Sequence, residues 1–118
     1  MFRLLITGSR DWSDTVAIEN EFRLVYAKYG KEVVLVSGGA KGADSLCENL
    51  ARKAGWKIEQ HIPNWNEEGK KAGFLRNEKM VKLGADACLA FIKNASKGAT
   101  HCSNFAISNN IPTKRVVG

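Results

Sequence analysis

Glycines gather where two apolar runs of this chain end. Gly8-Ser9-Arg10 closes the first run, and Gly38-Gly39-Ala40-Lys41-Gly42-Ala43-Asp44 closes the second. Glycine admits positive φ and lets the backbone approach a ligand closely. The amides that open the next helix lack intrahelical acceptors, and the helix dipole favours an anion beside them. Two such loops at neighbouring strand ends predict a phosphate-binding site. Lys41 adds a charge-assisted contact in the second loop. Arg10, at the tip of the first, either grips phosphate or pairs with Asp11 or Asp14. Neither loop is a Walker loop, because the Gly-Lys-Ser/Thr ending is missing, and neither is GxGxxG in the dinucleotide position.

Other residues extend the candidate site. Trp12 and Trp65 fall in predicted loops, where an indole either stacks on a base or anchors the loop to the core. Asp44 opens a helix, so its carboxylate serves the helix terminus, a ribose hydroxyl or acid–base chemistry. Arg76 and Asn77 either reach a ligand across the cleft or lie on a solvated helix face. Lys97, Gly98 and Thr100 belong to a third glycine turn that opens a helix, a place for a second phosphate. His61 and His101 have no partners at metal-ligand spacing. The three cysteines, Cys47, Cys88 and Cys102, are odd in number and lack CxxC spacing. No metal, disulfide or cofactor is expected, and the thiols read as small buried groups in a reducing cytoplasm.

The elements that must position these residues alternate. Strands are predicted at Phe2–Thr7, Glu32–Ser37, Trp56–Ile62, Asp86–Ile92 and Pro112–Val117. Helices are predicted at Asp14–Tyr29, after Gly42, at Lys70–Leu83 and at Ala99–Asn109, with Pro63–Gly69 irregular. Ser13 or Asp14 caps the first helix and Gly30 stops it. This alternation predicts a three-layer α/β/α sandwich: an open parallel five-stranded sheet of order 3-2-1-4-5. Ligands of such sheets sit beyond the carboxyl ends of the strands, where the order reverses.

The 118 residues suffice for one domain over 1–118, and the net charge is +6. That charge favours anionic partners, either phosphate-bearing small molecules or nucleic acid. No run reaches the ~18 apolar residues of a membrane span, so no membrane partner is expected.

Three stretches together resemble the YspA-like branch of the SLOG superfamily, which joins the DNA-processing protein Smf/DprA with the Lonely Guy phosphoribohydrolases. They are Thr7-Gly8-Ser9-Arg10-Asp11-Trp12, Ser37-Gly38-Gly39-Ala40-Lys41-Gly42-Ala43-Asp44 and Gly69-Lys70-Lys71-Ala72-Gly73-Phe74-Leu75-Arg76-Asn77. Ala90-Phe91 and Lys97-Gly98-Ala99-Thr100 look like the same branch. The resemblance implies a Rossmann-like fold and a nucleotide-derived ligand over these loops, and adds Phe91 to the ligand-binding candidates. It also implies a protein of bacteria or their viruses that senses or sequesters such a ligand.

Two departures bear on activity. The Lonely Guy motif Pro-Gly-Gly-x-Gly-Thr-x-x-Glu is absent, and Glu48 does not fall at the spacing of its catalytic glutamate. In an enzyme cleaving the N-glycosidic bond of a nucleoside monophosphate, Asp44 or Glu48 would be the acid/base and Arg76 the phosphate holder. DNA binding does not carry over from the DNA-processing relatives. Nucleic-acid binding and assembly into a homo-oligomer stay open as alternatives.

Overall fold

The computed structural model describes residues 1–118. The chain runs β1 (Phe2–Gly8), α1 (Thr15–Tyr29), β2 (Val33–Ser37), α2 (Ala43–Lys53), β3 (Lys57–Gln60), α3 (Trp65–Glu68), a 3-10 turn (Gly69–Lys71), α4 (Ala72–Lys82), β4 (Ala87–Ile92), α5 (Lys97–Ser108) and β5 (Thr113–Val117). The five strands form one parallel sheet in the order β3-β2-β1-β4-β5. This is the expected Rossmann-like arrangement.

Central strands of a sheet covered on both faces read as continuous apolar runs, and their side chains alternate between two cores. Leu4 and Ile6 of β1 join Leu35, Ile18, Phe22, Trp56 and Phe91 in one cluster. Leu5 points the other way, to Val36, Met80, Cys88, Cys102 and Ala106. Helices α1 and α2 therefore cover one face, and α4 and α5 the other. All three cysteines are buried free thiols. In α1, Ile18 and Phe22 are buried, and the Phe22 ring packs on Trp56 at 4.9 Å. Tyr26 is exposed.

Local chemistry explains the element ends. The Asp14 carboxylate accepts from the Ala17 N–H and caps α1, which stops at Gly30. The segment expected to be irregular contains α3. Asn64 caps it by accepting from the Glu67 N–H at 3.2 Å, an Asn-x-x-Glu pattern visible in the sequence. Gly69, at φ 59°, then breaks the path before α4 starts at Ala72, two residues later than expected.

Candidate functional site

The loops after β1 and β4, the N-terminus of α2 and the start of α4 surround a cavity of about 410 Å³ at the carboxyl edge of the sheet. It lies where β1 neighbours both β2 and β4, the point of order reversal. Its cationic wall residues are Arg10, Lys70, Arg76 and Lys93; its acidic ones are Asp11 and Asp44.

Ser9 ties the site together. Its N–H donates to Phe91 O, and its carbonyl accepts from the Ala43 and Trp12 N–H groups. Its hydroxyl donates to Lys93 O at 3.1 Å and accepts from Lys93 N–H at 2.7 Å. One buried residue thus joins the β1 loop, the β4 loop and the start of α2. Its hydrogen-bonding capacity is spent inside the protein, and it does not line the cavity. Ser9→Ala strands both polar groups of Lys93, at a cost of about 1–3 kcal/mol. Urea denaturation is expected to show that loss; an unchanged midpoint would mean the loops hold together without it.

Asp44 shows the strongest sign of a missing partner. It is 5% exposed and faces the cavity. Oδ2 accepts from the Ala40 N–H at 3.1 Å, while Oδ1 is buried with no hydrogen bond. Burial pushes its pKa up to about 6 and the Glu48 charge adds to that, against the smaller opposing effects of the Ala40 N–H, the Arg76 charge and the Gly38 N–H. A buried acceptor without a donor is costly, and native structures leave few of them.

Arg76 is fixed from three sides. It donates to Gly38 O at 2.6 Å, to His61 O at 3.3 Å and to Asn77 Oδ1 at 2.7 Å. Burial lowers its pKa, and the nearby Arg10 charge adds to that. Asn77 acts here by holding Arg76. Arg10 lies 6.0 Å over the ring of Trp65, which is half exposed at the cavity mouth.

Helix α5 presents its N-terminus to the same space. Ser96, Gly98 and Ala99 line the cavity, and Ser96 supplies no side-chain cap. The first intrahelical bond is Thr100 N–H to Ser96 O, so the three amides before it have no acceptor. The preceding loop places Asn94 and Ala95 at φ 54° and 52°. A left-handed alanine is strained, and such strain concentrates at functional sites.

The structure redistributes the candidate residues. Gly8, Arg10, Ala40, Asp44, Trp65, Arg76 and Gly98 meet at the cavity. Gly38, Gly39 and Lys41 line an adjoining hollow. Trp12 takes the anchoring one of its two readings and leaves the ligand-binding set: it is 3% exposed, packs on Phe91 at 5.5 Å and donates its indole N–H to Asp14 O. It anchors its loop and offers no stacking face. Phe91 is a core ring whose carbonyl, not its side chain, serves the loop. Glu48 accepts from Ser37 Oγ at 2.7 Å and Gln60 Nε2 at 2.9 Å, away from the cavity wall. Gly42, Lys97 and Thr100 also stay off that wall.

Two of these glycines have a further reason to lack a side chain. A Cβ on Gly8 would overlap that of Ala43, and one on Gly38 would overlap the Arg76 guanidinium. These positions are bare to admit the protein's own groups. Sequence reasoning missed Lys70, Phe74, Lys93 and Asn94 as site residues. Lys70 and Phe74 lie inside the Gly69–Asn77 motif, which was the available signal.

Comparison with known proteins agrees with this architecture. The model of the family described as "YspA, cpYpsA-related SLOG family" matches residues 2–67. The chain belongs to that family. It is also similar to the "Gene 61 protein" of Mycobacterium phage D29, with 43% identity covering 95% of this chain and 94% of the phage protein. No solved structure gives a significant match. No helix is long and apolar enough to cross a membrane.

Proposed function

We propose that the cavity binds a nucleotide-derived ligand, with the protein acting as a sensor or sequestering module. The unpaired Asp44 Oδ1 carries this reading. A ribose hydroxyl is a donor that would satisfy it, while Arg10, Lys93, Lys70 and the open amides of α5 attract the phosphate. A sugar phosphate combines both groups. The volume falls within the ~300–1,000 Å³ range of small-molecule sites, and family membership points to the same class of ligand.

Thermal unfolding with a panel of mono-, di- and cyclic nucleotides tests it. A ligand present at 100 times its Kd stabilises by about 2.7 kcal/mol, so at least one nucleotide is expected to raise Tm by several degrees. Inorganic phosphate giving the same rise, or no nucleotide giving any, contradicts the reading.

Hydrolysis of an N-glycosidic bond is a second reading. Its support is the Asp44 pKa of about 6, suited to acid–base work near neutrality. A carboxylate beside the ribose stabilises an oxocarbenium-like transition state. Release of free base from a nucleoside monophosphate, lost in Asp44→Asn, would establish it; no turnover at high protein concentration would dismiss it. Nucleic acid is less well matched, because the orphan acceptor and the cationic groups converge on one bounded cavity.

A further inference from the structure

A second cavity of about 290 Å³ adjoins the first, and the two share Arg10, Ala40, Trp65 and Arg76 in their walls. Each volume alone lies near or below the lower end of the usual range for small-molecule sites. The second cavity is otherwise lined by Gly38, Gly39, Lys41, Ile62 and Pro63. It offers apolar surface with one ammonium group and no carboxylate.

The shared wall carries two guanidinium groups. Both line both cavities, and the Arg10 charge lowers the pKa of Arg76, a smaller effect than the opposing charge of Asp44. Arg76 is locked by Gly38 O and Asn77. Arg10 rests against Trp65 at the outer limit of cation–π contact and is weakly held. An anionic group between them gives Arg10 a stronger partner than the indole and Arg76 a second countercharge beside Asp44.

We infer that the two cavities are the two ends of one site, and that its ligand is a nucleoside diphosphate bearing a second ring on its distal phosphate. The inference rests on the proposed nucleotide site and adds the shape of the ligand. The diphosphate lies at the shared wall between Arg10 and Arg76. The ribose of the nucleoside meets Asp44 in the larger cavity. The distal ring enters the smaller one, against Ile62 and Pro63.

Calorimetry on the full chain tests it with three sets of probes over the four common bases. These are nucleoside monophosphates, nucleoside diphosphates, and the sugar conjugates ADP-glucose, GDP-mannose, CDP-glucose and UDP-glucose. For the preferred base, the sugar conjugate is expected to bind at least tenfold tighter than either simpler nucleotide. Ile62 is 64% exposed, so Ile62→Glu should fold normally. It places a carboxylate in the smaller cavity and is expected to abolish the tenfold gain. Sugar conjugates no tighter than the diphosphates, or a gain that survives Ile62→Glu, overturn the two-ended site and leave the nucleotide site standing. Binding of none of the probes overturns the nucleotide site itself, and this inference with it.

Discussion

Gly42→Ala is expected to destabilise the protein by about 2–6 kcal/mol, a large part of the roughly 5–15 kcal/mol that holds a domain together. Gly42 sits at φ 73° and ψ −123°, a region open to little but glycine and costing alanine about 1–3 kcal/mol. A Cβ there would also overlap the backbone carbonyl of Arg10. Neither side can yield cheaply. The Arg10 loop is pinned through Ser9, and the helix start is held by the Ala43 N–H to Ser9 O bond at 3.1 Å. Overpacking against backbone adds about 1–3 kcal/mol. Gly98→Ala is the matched control: its Cβ would meet nothing within 4 Å and its φ is not positive. Early in α5 it should be neutral or stabilising by up to about 1 kcal/mol. Chemical denaturation of the pair decides the matter. Equal stabilities would show that the first and second loops do not interlock as described.

Asp44→Asn is expected to separate stability from binding. The carboxyl titrates near 3.8 when unfolded and about 6 when folded. The folded state therefore takes up a proton through that window, and the ionised carboxylate increasingly destabilises the fold as pH rises from 4 to 6. Above pH 7 the penalty is full, and each pH unit separating the two titrations contributes about 1.36 kcal/mol to it. The asparagine variant should then be more stable than the parent by about 1–3 kcal/mol at pH 8, with its carbonyl oxygen taking the Ala40 contact that Oδ2 makes in the parent. Near pH 4 the difference should vanish. The same change replaces a charged acceptor for the ligand hydroxyl with a neutral group, and should weaken nucleotide binding by at least tenfold. Denaturation at pH 4 and pH 8, with binding measured at pH 8, checks both halves. A variant less stable at pH 8 would mean that Oδ1 already has a partner in the free protein.

Much of the fold was legible because its signals are local and strong. Val33-Val34-Leu35-Val36 and Ala87-Cys88-Leu89-Ala90-Phe91 can only be strands buried on both faces, and the alternation with helices then implies the parallel order. Short elements were less legible. Trp65–Glu68 forms a single helical turn on a capping pattern too brief to outweigh its polar composition. The site was legible at the level of loops and not of atoms. Gly8, Gly38 and Gly42 announce close approach, but the sequence does not say what approaches. In the structure it is Ala43, Arg76 and the Arg10 carbonyl. Trp12 and Trp65 look alike in sequence and part in the fold: one is buried against Phe91, the other half exposed beside Arg10. The role of Ser9 depends on partners in and just after β4, about eighty residues away, and that of the Asp44 oxygen on the exclusion of water. Local patterns record neither.

The most direct test of the central claim is the amide spectrum of 15N-labelled protein titrated with the nucleotide that shifts Tm most. The largest saturable shifts are expected on Ala40, Asp44, Gly98 and Ala99, with the carboxyl pKa of Asp44 moving below 6 as its free oxygen gains a donor. Shifts scattered over surface lysines, with those four amides and the Asp44 titration unchanged, would contradict it.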